Sequence, residues 1–445
     1  MSLPDRQIAL RVDGTFYHPS LVLIHRPFEK KRGQNLPRIS IRHLPDELLL
    51  EIFYFLRLGG EYEWNHRRRW YQLLRVCRKW RYLLLESASR LKLCLLCDLK
   101  TPTAEMLQHS PPLPLIVHIE RIYHDITQPS NNITHALQYP DRVVYISIDT
   151  WAIDRELLMA LGKTFSALET FSLLVGLFES PDRQFLPFPE NFAAPHLRTL
   201  HLNNVSIFEV PSLLTSAATT LVSLRIEQIE DFSYLSPDEL VECISSMPRL
   251  EKLSIRFFAS FCLADTEREF WDTQITCTVL SNLRELAFGG DSVYLEKMLA
   301  LISTPLLQSF DVAFFSQPML AIQHISEFLS TIQDLDSRAV SVSFSDTVTI
   351  TYRPAQTSDS LSCIRFGSDD ETNRLNQQLA TVTQICAAVG PALNTIEDVA
   401  LKFGRCYVPD DFLSAVSSGV HSFDRLRLLG RFGRTLPSSR SFRKS

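Results

Sequence analysis

The period of the apolar positions changes along this chain. In LPDELLLEIFYFL, Leu48, Leu49, Ile52, Phe53 and Leu56 recur at i, i+1, i+4, i+5 and i+8, which is the spacing of one helical face. Pro45 suits a first helical position, where its missing N–H is not needed, and Asp46 and Glu47 favour the positive end of the helix dipole. Leu50, Tyr54 and Phe55 lie off that face, so the helix is apolar on more than one side and needs more than one partner. A polar insert, LGGEYEWNHRRR, interrupts the pattern. A second helical stripe then runs through Leu73, Cys77, Trp80, Leu84 and Ala88, with Arg75, Arg78 and Lys79 on the wet face.

After residue 90 the period shortens. Leu91, Leu93 and Leu95 alternate with Lys92 and Cys94 as in a strand, TAEMLQHS reads as a helical turn, and PPLPLIVHIE is extended and apolar. From about 140 one pattern recurs: an apolar residue, two variable ones, an apolar one, any residue, an apolar one. It occurs at Val143-Ile146-Ile148, Leu168-Phe171-Leu173, Leu197-Leu200-Leu202, Leu221-Leu224-Ile226 and Leu250-Leu253-Ile255. It continues at Leu283-Leu286-Phe288, Leu307-Phe310-Val312, Ala339-Val342-Phe344, Ile396-Val399-Leu401 and Phe423-Leu426-Leu428. The segments PSLLTSAAT, SPDELVECISSM, DSVYLEKMLALIS and ISEFLSTIQDL between them read as helices. This spacing is that of leucine-rich repeats, whose units bury their apolar faces only by stacking. Most units lack the Asn that usually follows the strand; Asn204 is one remnant. The expected fold class is therefore α/β: an N-terminal helical module followed by an irregular leucine-rich-repeat solenoid.

Composition narrows the function. Net charge is -5 and the pI is near 6.2, which gives no general attraction to nucleic acid or anionic membrane. The longest apolar run is too short to span a bilayer, and SLVLIH is too brief for a signal-peptide core, so a cytoplasmic or nuclear location is expected. Nine scattered cysteines fit reduced thiols. Cys94-x-x-Cys97 lacks the second ligand pair that zinc needs, and no metal or cofactor is expected. No GxSxG or phosphate-binding glycine motif occurs, and no carboxylate pair stands out, so no enzyme is expected.

LPDELLLEIFYFL followed by WYQLLRVCRKWRYLLLES resembles the F-box, whose pattern is Leu-Pro-x-Glu, an apolar first helix, then Val-Cys-basic-x-Trp. Leu44, Pro45, Glu47, Ile52, Leu56, Val76, Cys77, Arg78 and Trp80 carry the match. The next stretch, RLKLCLLCDLKTPTAEMLQHSPPLPLIV, resembles the segment after the F-box in many basidiomycete fungal F-box proteins. The resemblance covers about residues 40–120. It implies a substrate-recognition subunit of an SCF-type cullin-RING ubiquitin ligase, in which this region binds a Skp-type adaptor and the repeats hold a target protein. Leu44, Pro45, Leu48, Leu49, Ile52, Phe53, Leu56, Val76, Trp80 and Leu84 would divide between that interface and the local core. The alternative is a leucine-rich interaction scaffold with no ubiquitin role, whose N-terminal helices are a cap. Strand alternation makes Arg198, His201, Ser223, Arg225, Lys252, Arg256 and Arg284 candidate target contacts. The implied organisation is a flexible segment over 1–39, the F-box over 40–90, a connecting and cap-like unit over 91–138, the solenoid over 139–430 and a flexible basic tail over 431–445.

Overall fold

The structure is a computed structural model. It describes residues 41, 44–58, 70–99, 101, 103–120, 131–150, 155–176, 188–205, 210–229, 236–257, 277–314, 324–325 and 328, and the backbone of strands at 339–344, 347–353, 362–367, 398–403, 425–430 and 439–443. The expected flexible segment over 1–39 lies outside these residues, as does the polar insert over 58–69 except for Leu58, which ends the first helix.

Helices α1 (Asp46–Leu58) and α2 (Arg78–Glu86), with a short helical turn over 70–73 between them, precede the sheet. Strands β1 (Leu95–Cys97), β2 (Leu115–Ile119), β3 (Val143–Thr150), β4 (Thr170–Val175), β5 (Thr199–Asn203), β6 (Ser223–Ile229) and β7 (Lys252–Phe257) follow in register. With β9 (Glu285–Gly290) and β11 (Ser309–Phe314) they make nine parallel neighbours in chain order. A two-strand pair, β8 (Thr278–Val279) with β10 (Ile302–Ser303), lies apart from the sheet. Helices run between the strands: α3 (Thr103–His109), α4 (Asn131–Ala136), α5 (Arg155–Leu161), α6 (Pro211–Ala217), α7 (Pro237–Ser245) and α8 (Ser292–Leu301). The α/β character of the chain is thus as expected.

The solenoid is not found. Beyond β11 chain order breaks down: the sheet continues through β14 (Ser362–Gly367), β13 (Thr347–Arg353), β12 (Ala339–Phe344), β15 (Asp398–Phe403), β16 (Arg425–Gly430) and β17 (Ser439–Arg443). The pairs β14–β13, β13–β12 and β16–β17 are antiparallel, which stacked repeat units do not allow. β17 lies within the stretch expected as a flexible tail. A helical F-box is not evident either. Leu49, Leu50, Phe53, Trp70, Leu84 and Ala88 share one buried cluster with Leu95, Cys97 and Leu115 of the sheet. Apolar periodicity states which positions are buried and not what they pack against: parallel strands in a sheet need the same buried positions as repeats in a stack, and the buried side of α1 is met by the core of the sheet.

At those positions the reading is accurate. All three apolar residues of each of the seven units from Val143 to Val312 are buried, on the face that α6, α7 and α8 cover with Leu213, Leu240, Ile244, Leu295 and Met298. Strands β5, β6, β7, β9 and β11 are entered by the same turn. The carbonyls of Glu169, Arg198, Val222, Glu251 and Arg284 each accept two N–H groups from the next unit. Helix α7 begins on a capping box, Ser236 with Glu239, and Pro237 takes the first helical position. Asn204 holds φ 57° and its Nδ2 donates to the Val175 carbonyl at 3.2 Å, tying the end of β5 to β4. Buried Glu296 on α8 accepts from the backbone N–H groups of His324 and Ile325 at 2.6 and 3.0 Å, satisfying donors that would otherwise be orphaned.

The outer edge of β1 is closed by the N-terminal segment. Trp70 Nε1 donates to the Cys94 carbonyl at 3.3 Å and the Leu96 N–H donates to Tyr71 Oη at 3.1 Å. These two side chains occupy backbone groups that an open edge would leave for another chain.

At the end of β9, Gly290 is packed beneath Phe257 and Phe288, whose rings also meet that of Tyr294. A Cβ there would stand 2.8 Å from Phe257 Cδ2 and 3.0 Å from Phe288 Cζ. Gly290→Ala is therefore expected to destabilise the chain by about 1–3 kcal/mol through overpacking. A chemical-denaturation midpoint equal to that of the parent would show that the rings have room to move.

Candidate functional site

Two surfaces carry the candidate residues. The first is the exposed side of α1 and α2. The structure divides the expected adaptor residues: Leu49, Phe53 and Leu84 are in the core, and Leu44 and Trp80 are partly buried against it. Phe53 and Trp80 meet edge to face at 4.9 Å, which fixes α2 against α1, and Lys79 reaches Asp46 at 2.7 Å. Pro45 is exposed, and the side chain of Leu56 lies outside the described residues. Leu48 is 51% exposed, Ile52 37%, Phe55 66% and Val76 57%. Leu48, Ile52 and Phe55 sit at i, i+4 and i+7, so they form one row along the helix. Phe55, and Tyr82 on α2 at 69% exposed, extend the apolar surface beyond the residues picked from sequence.

The second surface is the open face of the sheet, opposite the helices. Parallel register aligns Ser172, His201, Arg225, Ser254, Ala287 and Asp311 across six strands. A bulge in β6 at Gln228 (φ 52°) makes Ile229 the partner of Phe257. The buried residue Glu227 is the centre of this face. Its Oε1 accepts from Arg225 Nη2 at 2.7 Å and lies 3.7 Å from Arg256 Nε, and its Oε2 lies 3.2 Å from His201 Nε2. Burial alone would raise the Glu227 carboxyl, but hydrogen bonds from His201 and Arg225, and the charge of both, outweigh it and hold it at about 2. An ionised carboxylate only accepts, so His201 Nε2 carries a proton. Arg256 also reaches Asp311 on β11, Nη2 to Oδ2 at 3.6 Å, across β9. Gly289 allows this: a Cβ there would stand 3.2 Å from Arg256 Cγ.

The seven expected target contacts separate accordingly. His201, Arg225 and Arg256 meet around Glu227. Lys252 pairs with Glu285 at 2.6 Å one row away, next to half-buried Ser223. Arg198 and Arg284 are exposed at the turns that enter β5 and β9. Glu227, Asp311 and Ser172 were missed by sequence reasoning. Their signal, a polar residue at the alternate positions of each strand, is shared with every other residue of the open face. Ser172 Oγ lies 3.3 Å from His201 Nδ1, giving the order hydroxyl, imidazole, carboxylate. Ser172 is nearly buried and Glu227 is neutralised by Arg225, so this chain of groups positions the imidazole rather than exposing a nucleophile.

Cys97 is fully buried, and burial, opposed by a hydrogen bond with Thr103, pushes its thiol up to about 12, far from the thiolate that a metal or a redox partner requires. Among the described residues no group of three or more His, Cys, Asp or Glu is placed to hold a metal ion, and no helix is long and apolar enough to cross a membrane. No family model matches this chain, and no curated protein matches it.

Proposed function

We propose that this chain is a non-catalytic, target-recognition subunit of an SCF-type cullin-RING ubiquitin ligase, at work in the cytoplasm or nucleus. The row Leu48, Ile52 and Phe55 would dock on the Skp-type adaptor, and the open sheet face would hold a target protein. The observation that carries this reading is an apolar helix row left exposed within the sequence that matches Leu-Pro-x-Glu and Val-Cys-basic-x-Trp. Exposed apolar rows of this kind mark interaction sites. The chain would act by proximity: holding a target lysine beside a charged ubiquitin carrier raises its effective concentration, and the bond chemistry belongs to other subunits.

The second reading, a cap on a scaffold, draws on Trp70 and Tyr71, which close the β1 edge. A cap accounts for the buried side of α1 and leaves the outer row without a role. Co-expression with a Skp-type adaptor separates the two. Wild type is expected to co-purify with the adaptor, and Leu48→Ala/Ile52→Ala to lose it, each truncation costing about 2 kcal/mol or more of binding at a hot spot. Both residues are exposed, so the melting temperature of the double variant should stay at that of wild type. Failure of the folded wild type to co-purify would leave the cap reading.

A further inference from the structure

We infer that the open face of β5–β9 binds an acidic, carboxylate-bearing stretch of polypeptide. This names the chemistry of the target and rests on the target-recognition reading for the source of the peptide. The charges of this face are layered. Glu227 and Asp311 are recessed, with side chains 11% and 25% exposed, whereas Arg225 and Arg256 above them are 50% and 39% exposed. Glu285 is as exposed as its partner Lys252, and the two neutralise each other. What a ligand meets over β6 and β7 is guanidinium, on a chain whose overall charge is -5.

These guanidiniums retain donors. Arg225 spends one hydrogen bond on Glu227. Among the described residues Arg256 makes ion contacts of 3.6 and 3.7 Å, and its buried Nε meets no hydrogen-bond partner there. Ala287 and Gly289 leave a shallow floor beside Arg256, with Asp311 beyond it on β11. A carboxylate fits the planar fork of an arginine in two parallel hydrogen bonds. A singly charged group suits the face better than a phosphate dianion, because the recessed carboxylates already offset part of the arginine charge. Nucleic acid is disfavoured: among the described residues of β5, β6, β7 and β9 no Phe, Tyr or Trp stands on this face to stack a base, and Tyr145, on the same side of the sheet, is on β3, away from the arginines. Arg198 and Arg284, at the entry edge of the same strands, extend the positive field.

The test uses the full chain and fluorescence anisotropy with four labelled probes: a Glu-rich peptide, the same peptide with Gln for Glu, a version with phosphoserine for Glu, and an RNA oligonucleotide. The Glu peptide is expected to bind in a salt-sensitive manner and the Gln peptide not to bind. Arg225→Ala/Arg256→Ala should weaken binding at least about tenfold, while Arg256→Lys, which keeps the charge and loses the fork, should fall between. Circular dichroism of each variant verifies folding; should the double variant unfold, the two single variants carry the comparison. Equal binding of the Gln peptide, binding of the phosphoserine peptide or RNA alone, or no binding by folded wild type would overturn the inference. Adaptor co-purification depends on α1, so its failure with peptide binding intact sinks the adaptor role alone, and the converse result sinks this inference alone.

Discussion

Phe171→Ala is expected to lower stability by about 3–5 kcal/mol. Phe171 is fully buried near the start of β4, its ring 5.0 Å from that of Phe192 and 6.5 Å from that of Phe188, and Phe192 in turn meets Phe165 at 5.8 Å. Its register neighbours are Ile146 and Leu200, both fully buried. Strands held by ladder bonds on both sides cannot close onto the cavity left by the ring, so the loss of transfer energy and the cavity cost add. The measurement is the midpoint of urea unfolding with its slope unchanged. A loss below about 1 kcal/mol would mean that the aromatic cluster repacks, which close packing argues against.

Replacing Glu227 with alanine is expected to cost about 2–3 kcal/mol at neutral pH, following from a carboxyl held near 2 instead of 4.5 and reduced for the exposure of Arg225. The carboxyl is depressed in the folded state, so its contribution is fully present above its ordinary value and is lost as pH falls from about 4.5 through about 2. Wild type should therefore lose its margin over Glu227→Ala across that window. Alanine leaves Arg225, His201 and Arg256 facing one another, and Glu227→Gln, which keeps hydrogen-bonding oxygen without charge, should fall between. Parallel stability–pH curves for wild type and Glu227→Ala from pH 5 to pH 2 would show that the carboxylate is not what binds these strands together.

The exposed row of α1 and the sheet-face network differ in how far each could be read from the sequence. Leu48, Leu49, Ile52 and Phe53 could all be placed on an apolar helix, since helical periodicity is local. Which of them faced inward depended on residues far along the chain: Phe53 is buried against Trp80, and Leu49 joins the cluster that includes Leu95. The capping box at Ser236 and Glu239 is legible because its partners are three residues apart. The cluster of Ser172, His201, Glu227, Arg256 and Asp311 is not, because its members come from five strands and meet only through register and the bulge at Gln228.

The sequence by itself determined the α/β character of this protein and the buried positions of seven strands, because burial of alternate apolar residues is required by the strand's own geometry. Only the tertiary structure decided the rest. It made one open sheet from what read as stacked repeats, with the order of strands after β11 rearranged through antiparallel pairs. It joined the N-terminal helices to the core of that sheet, and it set the charged side chains of distant strands around one carboxylate. Strand order and the placement of polar side chains rest on long-range pairing, for which the chain carries no local signal; the same apolar period satisfies several arrangements, and packing selects among them.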